Sequence, residues 1–568
     1  MQNKTVYCGT VPGPALYLKE NQTTWVRVYN DLPEDNTTMH WHGLSSIAPY
    51  SDGSPQASQW PIKAQHFFDY EIRPRIGDAG SYYYHSHVGL QATTAAGPLI
   101  IEEADGTRPY EYDEERLLFF SELYNHTDKE TMEGLIAPLA TYLWAGDAES
   151  LLVNGNSFPA LPWNETDSPL PAANATVSDT NATCHPDIIH VEPNRTYRFR
   201  AFGAGSLGTY VFAFEDHNNL TIVAADASYT QSFNADKILF TTGQRYDFLV
   251  HTKTEEELKM LGKTEFWIQI ELRNRPINAT YYAVLSYTST NASTIPNTPP
   301  DQKPVQGITA DLRNFMEYTL EPLLPNGFPS SDQVTRQVYI TQQQLTVTAG
   351  QFLALNNHTW TETNQHENDT PFNNTIPVYD VPYLVDIYNR GEQAIPNYEN
   401  ALRHGGWDPE LNVYPAKLGE VIDIIIQYDA IGAHAPNDAH PFHLHGTHYW
   451  DLGCGPGTYN ATANEAKLQG YNPVLRDTTA LYRFDDPNNA TIQGWRAWRL
   501  KATGPGVWML HCHILQHMIL GMQAVWFTGN AAEITQGTAP GLVAGYLTYG
   551  GDAYGNATHD PLVTHFYE

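Results

Sequence analysis

Residues 508–522 of the chain read Trp508-Met-Leu-His-Cys-His-Ile-Leu-Gln-His-Met-Ile-Leu-Gly-Met522. In a β-strand, alternate side chains point to opposite faces, so His511 and His513 would share one face and Cys512 would point to the other. His517 and Met522 follow five and ten residues after the cysteine. A thiolate, imidazoles and a weak axial thioether are the ligands of a blue-copper electron-transfer site. The stretch therefore predicts a metal site, and a buried core of histidine and cysteine is the alternative.

Three further His-x-His pairs occur in strand-like settings, and they are His40/His42, His85/His87 and His443/His445. With 23 histidines in 568 residues, chance placement gives roughly one such pair. The two rings of a pair on a strand lie on one side, about 6.6 Å apart. Eight converging imidazoles suit a cluster of copper ions better than one zinc ion, which takes four ligands. His440 is an odd number of residues from His443, so it faces away from that pair and is the natural partner of Cys512.

In this order, the four stretches resemble the copper signatures of multicopper oxidases, the family of laccases, ascorbate oxidases and ferroxidases. Other segments that match the family pattern are residues 9–14, 97–101, 152–155, 243–246 and 472–478. The resemblance spans nearly the whole chain. It implies an all-β fold of three consecutive cupredoxin-like Greek-key sandwich or barrel domains. We place these domains at residues 1–110, 111–300 and 301–568.

Short alternating segments separated by Gly, Pro and Asn agree with this fold class. Segments in which we expect strands are residues 24–29, 67–72, 80–85, 98–101, 116–121, 190–200, 246–251, 338–340, 421–426 and 495–500. The Pro-rich residues 298–304 are expected to form a linker, and the polar insertion at residues 356–374 a surface loop.

The family pattern also implies four copper ions and their ligands. The implied type 1 ligands are His440, Cys512, His517 and axial Met522; the type 2 ligands are His40 and His443; the type 3 ligands are His42, His85, His87, His445, His511 and His513. Only the family divides His40 from His42, because both lie on one strand face. The resemblance further implies that electrons enter at the type 1 site and pass through Cys512 to its neighbours. Four electrons would then reduce O2 to water at a cluster between the first and third domains, which the second domain bridges.

Two carboxylates are candidate catalytic residues. Asp52 lies in a loop that resembles the place where the family keeps an acid by the type 2 copper, where it would pass protons to reduced oxygen. The alternative is a turn-forming Asp-Gly pair. Asp226 resembles the carboxylate with which fungal laccases accept a phenol proton, and the alternative is a solvated loop residue.

Composition limits the class of protein. The net charge of −32 argues against nucleic-acid binding, which favours basic patches, and no apolar run is long enough to span a membrane. About seventeen Asn-x-Ser/Thr sites favour a secreted protein that carries N-linked glycans. Examples of these sites are Asn21, Asn36, Asn174, Asn181, Asn278, Asn357, Asn460 and Asn556. We expect a monomer.

The remaining cysteines and the N-terminus leave alternatives open. In ascorbate oxidases a cysteine at the place of Cys184 bridges to the first domain, and Cys8 is the candidate partner here. Alternatively, an absent N-terminal segment supplied that partner. Cys454 would then be free. Residues 1–4 lack the apolar segment of a signal peptide, so we expect a processed or trimmed start.

The most specific prediction concerns the reducing substrate. A methionine as axial ligand favours a type 1 copper of low to moderate potential. Residues 564–568 lack the C-terminal plug of typical ascomycete laccases. We therefore expect a secreted, fungal-type, laccase-like oxidase of phenols such as catechols and methoxyphenols. An L-ascorbate oxidase is the alternative, followed by a ferroxidase or a non-catalytic copper or electron-transfer protein.

Overall fold

The structure is a computed structural model, and most of its regular elements are β-strands. It describes residues 4–550 apart from 46, 145–147, 159–160, 164–184, 274–277, 289–298, 301–302, 306–307, 309–312, 314, 348–349, 363–380, 431–438, 485–490 and 539–542. These residues contain 29 strands and seven short α-helices. The expected all-β class is confirmed.

The first six strands form a small two-sheet unit. They are β1 (Leu16–Lys19), β2 (Thr24–Tyr29), β3 (His40–His42), β4 (Phe67–Ile72), β5 (Gly80–His85) and β6 (Ala96–Glu102). One sheet has the order β1-β6-β5-β3, and β2 pairs with β4 in the other. Strands β2, β4 and β5 have the bounds that the alternation predicts. The short β3, which carries the first His-x-His pair, is antiparallel to β5.

The second unit contains two six-stranded sheets. Its strands are β7 (Glu114–Leu123), β8 (Ser150–Val153), β9 (Leu161–Trp163), β10 (Ile188–His190), β11 (Thr196–Gly203), β12 (Thr209–Phe214), β13 (Leu220–Ala225), β14 (Ser228–Ala235), β15 (Ile238–Thr241), β16 (Arg245–His251), β17 (Glu265–Arg273) and β18 (Asn278–Ser286). The orders are β14-β13-β16-β11-β7-β8 and β10-β18-β17-β12-β15, with β9 paired to β18. The segment expected at 190–200 is divided between β10 and β11. Pro193 lacks an N–H, and Asn194 turns the chain with a φ of 55°.

The third unit has a six-stranded and a five-stranded sheet. Its strands are β19 (Arg336–Val347), β20 (Gly350–Leu355), β21 (Tyr414–Ala416), β22 (Val421–Asp429), β23 (Ala439–Leu444), β24 (Tyr449–Gly455), β25 (Leu475–Arg476), β26 (Thr478–Tyr482), β27 (Ile492–Lys501), β28 (Gly506–Cys512) and β29 (Gln523–Thr528). The orders are β20-β19-β22-β27-β24-β25 and β21-β29-β28-β23-β26. Strands β23 and β28, which carry the later histidine motifs, are neighbours.

The helices are short connections between strands. They are α1 (Asp128–Leu135), α2 (Glu255–Leu261), α3 (Tyr383–Arg390), α4 (Tyr398–Arg403), α5 (Ala461–Lys467), α6 (Leu515–Ile519) and α7 (Ala531–Gln536). Helix α6 follows the His-Cys-His motif directly, and Gly521 turns the chain with a φ of 104° into β29. Among the described residues, no helix is long and apolar enough to cross a membrane.

The first and third units share one apolar core. Trp41, Tyr70 and Leu99 from the first unit belong to the same buried cluster as Trp508 and Phe527 from β28 and β29. Burial of these large side chains holds β3 and β5 against the third unit. The three units fall within the predicted boundaries at 1–110, 111–300 and 301–568, which themselves stay a prediction.

Candidate metal centre

One thiol and two imidazoles meet at the end of β28. The Sγ atom of Cys512 lies 3.8 Å from Nδ1 of His440 and 3.6 Å from Nδ1 of His517, and these two nitrogens are 3.1 Å apart. Backbone hydrogen bonds tie Met522 to both Cys512 and His517, and the methionine is fully buried. The four residues predicted as a type 1 set are thus neighbours in space. His440 reaches Cys512 because Phe442, its neighbour on the same strand face, pairs with Cys512 across β23 and β28.

The eight imidazoles of the His-x-His pairs converge between the first and third units. His40 pairs with His85 across β3 and β5, and His443 pairs with His511 across β23 and β28. Groups whose ligand atoms lie within 4.8 Å of one another are His40/His443/His445, His40/His42/His85 and His87/His445/His511. The ring centroid of His513 is 4.8 Å from that of His42 and 5.4 Å from that of His85. The cluster therefore lies at the interface where the sequence predicts it.

Hydrogen bonds to the chain determine which nitrogen faces the cluster in most of the rings. The Nδ1 atoms of four rings contact backbone carbonyls, namely His40 with Asp52 at 2.6 Å, His85 with Ser86 at 2.8 Å, His443 with Asp477 at 2.9 Å and His511 with Cys512 at 3.0 Å. His42 is reversed, because its Nε2 contacts the Thr478 hydroxyl at 3.1 Å. Such outer partners set the tautomer and orientation of a metal-binding histidine.

Burial keeps most of these rings neutral. Desolvation and the neighbouring imidazoles hold the pKa of His40, His42, His445, His511 and His513 well below the usual value, and that of His85 falls to about 3. A neutral imidazole offers a lone pair to a metal ion, whereas a protonated one does not.

Asp52 lies directly beside the cluster. Its carboxylate contacts Nδ1 of His445 at 3.0 Å and accepts a hydrogen bond from the Ser54 hydroxyl at 2.6 Å. Burial raises its pKa to about 7. The turn alternative also holds, because Gly53 has a φ of 85° and a Cβ there would lie 2.1 Å from the carbonyl oxygen of Met39. The Asp-Gly turn and the buried carboxylate therefore occur together, and the two interpretations of Asp52 do not exclude each other.

Asp226 occupies a different environment from the one its predicted role requires. It is fully buried, accepts a hydrogen bond from Nε of Arg476 at 2.5 Å, and accepts another from the backbone N–H of Arg245 at 2.8 Å. A carboxylate held in this way between the second and third units does not present itself to a substrate. The solvated-loop alternative does not fit either, and we interpret Asp226 as a structural ion-pair partner.

Sequence reasoning missed Asp477, which supports two rings of the cluster. Its carboxylate lies 3.3 Å from Nε2 of His42 and 3.5 Å from Nδ1 of His443. The guanidinium of Arg245 donates two hydrogen bonds of 2.7 Å to it. Burial raises the pKa of Asp477, but the charge of Arg245 and the hydrogen bonds from both histidines outweigh that effect and hold it well below the usual value. Both residues lie in segments that match the family pattern, and this was the available signal.

Glu362 was also missed, because it lies in the polar insertion at residues 356–374 that we expected to form a surface loop. Its carboxylate forms a short contact with Nδ1 of His87, and both side chains are buried. Burial lowers the pKa of His87, yet the charge and hydrogen bond of Glu362 raise it overall. Glu362 therefore fixes the ring of a candidate ligand from the third unit, although His87 belongs to the first.

Family models described as multicopper oxidase match residues 1–106, 114–290 and 379–532. Together they cover most of the chain and include every predicted ligand. The chain belongs to the multicopper oxidases. The resemblance to this family that the sequence motifs indicated is therefore confirmed. This multicopper oxidase is an enzyme of the oxidoreductase class.

Curated relatives agree with this family. Multicopper oxidase terE from Aspergillus terreus is 52% identical over 543 residues, which cover 93% of this chain and 98% of that protein. Laccase-like multicopper oxidase 1 from Thermothelomyces thermophilus is 42% identical, over 99% of this chain and 89% of its own. An L-ascorbate oxidase from Cucumis sativus is 29% identical, over 92% and 85%.

Among solved structures, the laccase from Botrytis aclada superposes with a TM-score of 0.66 at 22% identity, over 93% of this chain and 84% of that one. At this identity the similarity concerns the fold alone. It supports the cupredoxin-like character of the three two-sheet units.

The cluster also fits copper by its own chemistry. The buried atoms Nδ1 of His42, Nε2 of His85 and Nε2 of His87 have no hydrogen-bond partner among the described residues. A buried polar atom without a partner is costly, and bound ions would satisfy these atoms, one ion at the group with His42 and His85 and another at the group with His87. Imidazole and thiolate donors are the ligand types that copper favours. Membership of the family and this donor set together identify a copper-binding protein.

The disulfide prediction is not tested. Cys184 lies outside the described residues. Cys8 is exposed and Cys454 is buried, and neither forms a disulfide with another described residue.

Proposed function

We propose that this multicopper oxidase is a secreted, laccase-like enzyme that oxidises phenols such as catechols and methoxyphenols in one-electron steps and reduces O2 to water. We infer the substrate class from the surroundings of His517, which is the least buried of the proposed type 1 residues. The indole of Trp144 lies beside it, with ring centroids 6.2 Å apart. A flat aromatic wall next to the ring through which electrons enter suits a phenol, because aromatic rings pack favourably against each other.

The wall belongs to the second unit. Met132, Ile136, Tyr142 and Trp144 pack against the apolar cluster that contains Cys512 and Met522. Helix α1 and the segment after it thus border helix α6, which carries His517. The second unit would bind the substrate, while the third unit supplies the electron acceptor.

Four copper ions are proposed, with the residues divided as the family pattern implies. The type 1 site would use His440, Cys512, His517 and Met522; the type 2 site His40 and His443; the type 3 pair His42, His85, His87, His445, His511 and His513. Bound copper supplies the one-electron redox chemistry and the site of O2 reduction. Cys512 is bonded through the backbone to both His511 and His513, so one covalent path joins the two groups of ligands. Asp52 and Asp477 hold the rings, and Asp52 is the proposed proton carrier.

An L-ascorbate oxidase is the second candidate, and the similarity to L-ascorbate oxidases at 27–30% identity favours it. The higher identity to a laccase-like enzyme and the apolar wall favour the phenol. A ferroxidase would use carboxylates at the His517 edge, and the described residue that lies beside this ring is Trp144. A non-catalytic electron carrier would not need the eight-imidazole cluster.

Secretion, N-linked glycans and a monomeric state are part of the proposal. Asn21, Asn357 and Asn460 stand in glycosylation sites and are exposed, which supports glycan attachment. A loss of mass on treatment of the secreted protein with an endoglycosidase would test this, and an unchanged mass would count against it.

The experiment that tests the proposed function is O2 consumption by the copper-loaded enzyme with a dimethoxyphenol and with ascorbate in parallel. We expect a higher kcat/KM for the phenol and four copper atoms per chain by metal analysis. A preference for ascorbate would move the enzyme to the second candidate.

The same assay tests whether the aromatic wall at Trp144 binds the substrate. Trp144→Ala should raise KM for the phenol about tenfold, which corresponds to about 1.4 kcal/mol of binding free energy, with the blue absorption unchanged. Trp267→Ala is the control, because Trp267 stacks on Phe158 within the second unit. An unchanged KM in Trp144→Ala would refute the wall as the substrate site.

A further inference from the structure

Glu122 of β7 is a buried carboxylate with an unusual number of hydrogen-bond donors. Its Oε2 atom accepts from the backbone N–H groups of Ser206 and Leu207 at 3.0 and 2.9 Å, and from the Ser206 and Tyr124 hydroxyls at 3.0 and 3.1 Å. Its Oε1 atom accepts from the Tyr210 hydroxyl at 2.6 Å. Five donors thus converge on one carboxyl group, an arrangement that leaves its position little freedom.

These hydrogen bonds fix the segment 203–208, which connects β11 to β12. The segment is pressed against the carboxylate. A Cβ at Gly205 would lie 1.8 Å from the Tyr210 oxygen, and one at Gly208 would lie 2.5 Å from Oε1 of Glu122. Only glycine allows this approach, so the segment has little freedom to shift.

The far side of this segment contacts helix α6 of the third unit. The backbone N–H of Leu515, the first residue of α6, donates to the carbonyl of Ser206 at 3.0 Å. The side-chain amide of Gln516 donates to the Tyr124 hydroxyl at 3.4 Å and the Ser206 hydroxyl at 3.5 Å. His517 is the next residue. Glu122 is therefore connected to the start of helix α6, which carries the proposed type 1 residue His517. The connection runs through segment 203–208 and through the Tyr124 hydroxyl.

A second branch reaches the other copper group. The hydroxyl of Thr242 donates a short hydrogen bond to the carbonyl of Gly205, and it lies 3.1 Å from Nδ1 of His513. The segment 203–208 thus contacts Leu515 and Gln516 directly, and it reaches the ring of His513 through Thr242. These contacts lie on either side of residue 514.

We propose that Glu122 is a positioning residue for the type 1 site, through which the second unit sets the placement of His517 relative to Cys512. The inference rests on the proposed function, because it requires type 1 copper at Cys512. The spectrum of such a copper depends on the ligand geometry at the thiolate, and outer partners of ligands control that geometry. The second unit would then determine both where the substrate binds and how its electron is received.

Two variants of the copper-loaded enzyme test this proposal. In Glu122→Gln the amide oxygen still accepts at the Oε2 position, while the loss of charge weakens each hydrogen bond. Tyr124→Phe keeps the ring and removes the hydroxyl between Glu122 and Gln516. Both variants should shift the blue absorption band and the copper hyperfine splitting of the electron paramagnetic resonance spectrum. We expect kcat in Glu122→Gln to fall about tenfold, within the range seen for outer partners of metal ligands, with KM for the phenol unchanged.

Glu271→Gln is the matched control. Glu271 is also a buried carboxylate on a strand of the second unit, but it contacts Gln269, Arg273 and Lys303. Its loss should lower Tm without moving the blue band. The proposal is overturned if Glu122→Gln and Tyr124→Phe keep the parent spectrum and kcat. A parent enzyme without a blue band after copper loading would instead overturn the proposed function itself.

Discussion

Replacing Cys512 with serine is expected to abolish the blue absorption of the copper-loaded enzyme and its oxidation of phenols. The sulfur is fully buried between two imidazole nitrogens, and a hydroxyl does not replace a soft thiolate ligand of copper. The peptide path to His511 and His513 remains, but it no longer begins at a ligand. The loss of kcat should exceed the roughly 10–100-fold that removal of an outer partner costs. Absorption spectra and O2 uptake at saturating phenol measure both effects.

Cys454→Ser is the matched control for this prediction. Cys454 is likewise a buried free thiol in the third unit, and its sulfur contacts the backbone carbonyl of Arg313 at 3.5 Å. The variant should stay blue and active. Retained turnover in Cys512→Ser would refute the assignment of Cys512 as the residue that receives and passes electrons.

Arg245→Met is expected to destabilise the whole protein. Arg245 is fully buried and is hydrogen-bonded to the Asp477 carboxylate, and it also donates to the backbone carbonyls of Ser81 and Gly243. These partners come from all three units. Methionine fills the space without the charge, so Asp477 would be left buried without its cation. Breaking such a pair costs about 3–5 kcal/mol, and denaturant unfolding should show a loss of this size.

Copper content should fall in the same variant. Without Arg245, Asp477 would draw protons onto His42 and His443, which lie 3.3 and 3.5 Å from it, and a protonated imidazole does not bind metal. The control is Arg195→Met, since Arg195 is half-exposed and pairs with Asp113 on the surface of the second unit. It should lose less than about 1 kcal/mol. If the two variants were equally stable, Arg245 would not connect the three units.

Alternating segments between turn residues located most strands, although strands such as β4 and β5 are buried on both faces. Segments such as 67–72 and 80–85 agree with β4 and β5 to the residue. The alternation does not report where a strand is interrupted, and the division of 190–200 at Pro193 and Asn194 went unpredicted. The alternation also does not predict which strands pair with each other in a sheet.

The histidine spacings determined the candidate ligands for a similar reason. Residues two apart on a strand share a face, and residues an odd number apart do not. This rule alone separates His440 from His443 and His445, and it separates Cys512 from His511. The structure places Cys512 beside His440 and His517, and it places His443, His445 and His511 in the imidazole cluster. The division of the histidines into copper types stays a prediction.

The supporting residues depended on tertiary structure. Glu362 contacts His87, Asp477 contacts His42, and Glu122 reaches helix α6, each across hundreds of residues or between units. Asp226 lies in a family-like position, and only packing shows that Arg476 covers its carboxylate. The sequence by itself determined most of the strands, the candidate ligand residues and the family. Tertiary structure decided which nitrogen of most rings faces the cluster and which charged groups orient those rings. The physical reason is that backbone geometry dictates neighbours a few residues apart, whereas contacts between distant segments exist only after the three units have packed.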